Sequence, residues 1–136
     1  MFKVYWGYAR VVVLAVILAF AITAVFTPAR VSGTSMEPTI NSGDLVVLNK
    51  MAYVFDKPEV GDLVVFTSHV HTGTDGGGLL IKRVAEVTDD CVFVLGDNSA
   101  ASLDSRDPAI GLVDTNDIIG KVQFRVLPMS KIGTVH

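Results

Sequence analysis

Three short stretches of this chain bring together the residue types that nucleophilic chemistry requires. Val31-Ser-Gly-Thr-Ser-Met-Glu-Pro-Thr-Ile40 supplies hydroxyls, Ser35 among them. A serine hydroxyl is a weak nucleophile at neutral pH, so an attacking serine needs a base; without one the string is a turn-rich linker. Leu80-Ile-Lys-Arg-Val84 supplies a candidate base. Side chains alternate along a strand, so Lys82 shares a face with Leu80 and Val84. On a solvent face it is an ordinary edge lysine. On the core face its ammonium is desolvated and its pKa falls, with Arg83 adding like-charge pressure. Taking a lysine from about 10.4 to about 7–8 requires roughly 4 kcal/mol of differential interaction. Gly96-Asp-Asn-Ser-Ala-Ala-Ser-Leu-Asp-Ser-Arg106 supplies hydroxyls to orient a lysine and carboxylates to hold Arg83 and Arg106, or else is a solvated loop.

Other candidates are weaker. His69 and His71 form a His-x-His without the further spacing of a metal site, and no metal or other cofactor is expected. Gly76 to Gly78 do not lead from a strand into a helix, so they give no phosphate loop. Cys91 is the only cysteine; it lies between strands without a fitting His and reads as structural.

These residues need a scaffold, and the chain has 136 residues, enough for one domain. Its formal net charge of −3, without a Lys/Arg cluster, argues against nucleic acid as a partner. Residues 11–27 carry no charge and are apolar on every side, which suits a membrane span more than a core helix. Tyr5, Trp6 and Tyr8 make an aromatic girdle before it, and Thr27, Pro28 and Ala29 end it. A cleaved signal peptide is the rival reading, but the run is long for one and no small-x-small pair follows it in a polar segment. Lys3 and Arg10 before the span, against Arg30 after it, favour a cytoplasmic N-terminus. The expected division is therefore a cytoplasmic start (1–10), a transmembrane helix (11–28) and an extracytoplasmic β-rich domain (29–136).

The remainder reads as short strands over residues 45–48, 63–66, 79–87, 92–95 and 121–126, separated by turn residues. That spacing predicts a mainly β fold, a small antiparallel sandwich or partly closed barrel. Two Gly-Asp-Leu-Val-Val strings echo each other weakly, at Gly43 and Gly61. His69 to Gly78 is a polar, Gly-rich loop.

Taken in order, Ser35-Met-Glu-Pro-Thr, Gly61-Asp-Leu-Val-Val-Phe66, Ile81-Lys-Arg-Val84 and the string from Gly96 to Arg106 resemble the boxes of bacterial type I signal peptidases, over nearly the whole chain. The resemblance implies a membrane-bound serine endopeptidase that removes signal peptides from exported preproteins. Ser35 would be the nucleophile and Lys82 the general base, with Ser102 orienting the lysine. The Ser35 N–H would serve the oxyanion hole. Some relatives add a hydroxyl at the position of Gly33, which this chain lacks. Val31, Met36, Ile40, Leu80 and Ile81 match positions lining pockets for small substrate residues at −1 and −3. Asp104 matches the partner of Arg83 and Arg106 in structural ion pairs. Relatives of another kind place His where Lys82 stands, so His69 and His71 read as loop residues.

Only thirteen residues separate Lys82 from Gly96, where many relatives insert a second β subdomain. The chain thus resembles a minimal form, suited to a narrow client set such as pilins. Its expected partners are signal peptides and membrane lipid, and a monomer is expected. Two rivals are an inactive membrane-tethered binding module of the same fold and a self-cleaving repressor-type Ser-Lys protease; the apolar span and the lack of a DNA-binding domain count against the latter.

Overall fold

A computed structural model describes residues 1–68, 70 and 78–136, giving the backbone alone for residues 2–4. His69, His71 and most of the Gly-rich loop lie outside the described residues. The chain opens with helix α1, Phe2–Val25. Its Tyr5–Val25 stretch, apolar but for Arg10 near its start, is unburied along its length. At a rise of about 1.5 Å per residue those 21 residues span about 31 Å, close to a hydrocarbon core.

The helix ends earlier than the sequence suggests. Residues 26–28, expected to finish the span, belong instead to strand β1, Phe26–Arg30. The residue before a proline is biased away from helical geometry, and β1 is held along its length by strand β2, Leu45–Asn49. Pro28 has no N–H to offer a second neighbour, which suits an edge strand, and among the described residues β1 pairs only with β2.

The remaining strands are β3 (Leu63–Thr67), β4 (Leu79–Val87), β5 (Cys91–Leu95), β6 (Val113–Asp114), β7 (Ile118–Leu127) and β8 (Gly133–Thr134). They join in one antiparallel sheet ordered β1-β2-β7-β3-β4-β5-β6, with β8 beside β7. The sheet is mainly β as expected but does not close into a barrel. The expected strands all form. Strand β7 starts three residues earlier than the pattern indicates, and β1, β6 and β8 are additional.

The central strand β3 is buried on both faces, and its alternate residues enter two clusters. Leu63 and Val65 pack with Val31, Met36, Ile40, Val46, Leu48 and Val122. Val64 and Phe66 pack with Leu80, Val84, Val92, Val94 and Val113. The echoing Gly-Asp strings are one turn used twice. Gly43 and Gly61 adopt φ of 92° and 97°, open to glycine at little cost. The following aspartates, Asp44 and Asp62, then accept the N–H groups of Asn41 and Glu59, three residues back, at 3.0 and 3.1 Å.

Candidate active site

Lys82 lies on the inner face of β4. Leu80, Lys82 and Val84 are all buried, and Lys82 is only 2% exposed. Ile81, on the opposite face, packs against the cluster that holds Met36. Strand alternation thus places the one lysine of this strand in an apolar layer.

Ser35 sits in the turn after β1. Gly33 takes φ of 91° there, and Glu37 N–H donates to the Thr34 carbonyl at 3.2 Å, closing the turn. A cavity of about 160 Å³ opens at this point, with Ser32, Gly33, Ser35, Met36, Leu80 and Ile81 among its walls. Ala29, Arg30 and Val31 line it from the β1 side. Ser35 therefore shares a cavity with the two residues that immediately precede Lys82. Of the five residues expected in substrate pockets, Val31, Met36, Leu80 and Ile81 border this cavity. Ile40 does not; it is fully buried in the cluster with Val31 and Met36.

The segment Gly96-Asp97-Asn98 ties the serine turn to the lysine strand. Asn98 donates its backbone N–H to the Ser35 carbonyl at 2.9 Å and its side-chain amide to the Thr34 carbonyl at 3.0 Å. Asp97 accepts a two-pronged pair from Arg83, Nε to Oδ1 and Nη2 to Oδ2, both at 2.8 Å. The same carboxylate accepts the Thr39 hydroxyl at 2.5 Å. Hydrogen bonds from Arg83 lower the Asp97 pKa; burial opposes this, and Thr39 adds to the lowering. Arg83 is fixed further by the carbonyls of Gly61 at 3.0 Å and His136 at 3.2 Å. On the other side of the turn, Arg125 reaches the Thr39 carbonyl at 2.6 Å and Asp44 at 3.2 Å.

This arrangement corrects one expectation. Asp104 does not hold both arginines: it pairs with Arg106, at 2.8 Å through Nε and 2.6 Å through Nη2, while Arg83 goes to Asp97. Asp104 is buried and also accepts the Gly96 N–H at 2.9 Å. Burial alone would raise its pKa. The Arg106 and Gly96 hydrogen bonds outweigh that and hold it well below the usual carboxylate range, with the neighbouring Ser102 hydroxyl acting in the same sense. Among the described residues, the buried Ser102 Oγ nonetheless meets no hydrogen-bond partner in good geometry. It packs against Gly96, close to the Ser35 carbonyl. Asp97, Asn98 and Thr39 were visible within the sequence motifs, but their pairings needed the turn and the strand to be brought together. Among the described residues no three His, Cys, Asp or Glu side chains are placed to hold a metal ion.

A family model described as "Signal peptidase, peptidase S26" matches residues 4–86 and 85–127. A probable signal peptidase I-1 of Synechocystis is 30% identical over an alignment that covers 89% of this chain and 80% of the relative. Signal peptidase I of Bacillus amyloliquefaciens is 29% identical over 91% of this chain and 86% of its own length. A probable thylakoidal processing peptidase 2 of Arabidopsis thaliana is 29% identical over 83% of this chain, which spans only 41% of that longer relative. By the extent of these matches, the chain belongs to the signal peptidase family, peptidase S26.

Proposed function

We propose that the chain is a membrane-anchored serine endopeptidase that removes signal peptides from exported preproteins, with Ser35 as nucleophile and Lys82 as general base. The observation that carries this reading is a lysine 2% exposed on an apolar strand face, its neighbour Arg83 bracketed to the turn that bears Ser35. Such burial favours the neutral amine, the form able to accept a proton at neutral pH. Ser35 Oγ attacks the scissile carbonyl carbon while Lys82 Nζ takes its proton. The tetrahedral intermediate collapses, the C–N bond breaks, and Lys82 returns the proton to the leaving amine. Water then hydrolyses the acyl-enzyme with Lys82 again as base. The Ser35 N–H stabilises the oxyanion. Gly33 brings no hydroxyl, whereas Ser32 borders the same cavity. Ser102 orients the lysine.

The cavity walls of Val31, Met36, Leu80 and Ile81 suit small apolar residues at −1 and −3. The apolar part of helix α1 spans the membrane, the N-terminal end of the helix faces the cytoplasm, and the sheet lies on the extracytoplasmic side. A monomer completes the site, since one chain supplies all of its residues. The short connection from Lys82 to Gly96 suits a narrow client set.

The test is cleavage of model preproteins by detergent-solubilised enzyme. Ser35→Ala and Lys82→Met, the latter keeping the buried aliphatic volume, should each fold and lose cleavage. The wild-type rate should rise with pH as Lys82 loses its proton. Full activity of Ser35→Ala, or a flat profile across about pH 5 to 9, would refute the dyad. A wild-type chain inert toward several preproteins would indicate the binding module instead.

A further inference from the structure

The residues after β2 show a second apolar surface. Met51-Ala-Tyr-Val-Phe55 contains no charge, and Met51, Val54 and Phe55 are 44%, 55% and 89% exposed. Exposed apolar residues are common singly, but this group is held in a built turn. Val54 N–H donates to the Met51 carbonyl at 3.2 Å, and Met51 N–H to the Asn49 side chain at 3.0 Å. Tyr53 turns inward and donates its hydroxyl to Asp62 at 2.8 Å. Burial, then that hydrogen bond and the nearby carboxylates, raise the Tyr53 pKa, so the tie stays intact in ordinary buffers. Asp62 is locked in turn by Lys121 at 2.7 Å.

The position of the turn says what covers it. The N–H of Lys50 donates to the carbonyl of Val25, the last residue of α1, at 2.9 Å, and Asn49 pairs with Phe26. Val25 closes the 21-residue apolar stretch whose length matches the hydrocarbon thickness. A group bonded to it lies at the edge of that layer, within reach of a headgroup zone about 5–8 Å deep. We propose that the Met51–Phe55 turn dips into the boundary between headgroups and acyl chains, as a second membrane contact that fixes the sheet relative to the bilayer. The inference rests on reading α1 as a membrane span. A single helix leaves the domain free to swivel about its end. A second apolar contact beside it restricts that swivel and sets the height of the Ser35 turn above the lipid.

The test uses the full chain in phosphatidylcholine vesicles. Trp6 is the only tryptophan, so Trp6→Phe with Phe55→Trp leaves one reporter, at a position too exposed to disturb packing. Its emission should be blue-shifted and quenched roughly twofold by lipids brominated near the headgroup, more than by lipids brominated at mid-chain. A water-like emission that bromolipids do not quench overturns the proposal. Carbonate extraction separates the two levels. A chain retained in the vesicles with a water-exposed Trp at 55 sinks the loop contact alone. A chain released by carbonate sinks the membrane span, and this inference with it.

Discussion

Gly96→Ala is the smallest change that should disable the site. A Cβ built on Gly96 overlaps both Oγ and Cβ of Ser102 and comes within 2.7 Å of the Ser35 carbonyl oxygen. The Ser102 hydroxyl can rotate away, but its Cβ and the Ser35 carbonyl belong to less yielding parts of the molecule. Both must shift by several tenths of an ångström or more. Overpacking of this kind costs about 1–3 kcal/mol of stability. The catalytic loss should be larger. The displaced groups are the backbone of the proposed nucleophile and the residue proposed to orient its base, and a misplacement of about 1 Å costs about a hundredfold in rate. A hundredfold loss corresponds to about 2.7 kcal/mol of transition-state stabilisation. Melting temperature and single-turnover preprotein cleavage, measured on the same preparation, separate the two effects. Adding Ser102→Gly to Gly96→Ala removes both Ser102 clashes and leaves only the Ser35 contact. The double variant should therefore recover stability without full activity. A Gly96→Ala enzyme that cleaves at the wild-type rate would show that the packing of Ser102 and Ser35 around Gly96 does not position the chemistry.

Two further outcomes follow from the ion pairs. Arg83→Lys keeps the charge but not the fork that holds Asp97, so preprotein kcat should fall roughly 10–100-fold, with KM little changed; an unaltered kcat would separate this bracket from catalysis. Asp104 has a folded pKa below its unfolded value of about 3.9, so its contribution is present above about pH 4 and lost as pH falls through the folded value. Asp104→Asn should cost about 1–3 kcal/mol at neutral pH, the half-exposed Arg106 limiting the loss, and should unfold less steeply than wild type in an acid titration. Parallel acid limbs would refute that assignment.

Local sequence patterns were enough to mark most elements and the residues proposed to carry the chemistry. A charge-free run that is apolar on every side suits a membrane span or a signal segment more than a core helix, and alternation along Leu80 to Val84 already set Lys82 with two apolar neighbours. Short β-branched runs between glycines and aspartates determined most strands to within a residue or two. What the tertiary structure decided was pairing. The helix gave way to β1 at Phe26 because β2, further along the chain, was there to bond with it, Asn49 opposite Phe26. Lys82 became buried because the face it shares with Leu80 packs against β3 and β5, and no local pattern specifies which face of a strand is covered. Arg83 chose Asp97 over Asp104 because Asp97 follows β5 on the side where the Ser35 turn closes, while Asp104 is already satisfied by Arg106 and the Gly96 N–H. Composition and spacing name the groups; distances between residues far apart in sequence, set by strand order and register, decide which of them meet.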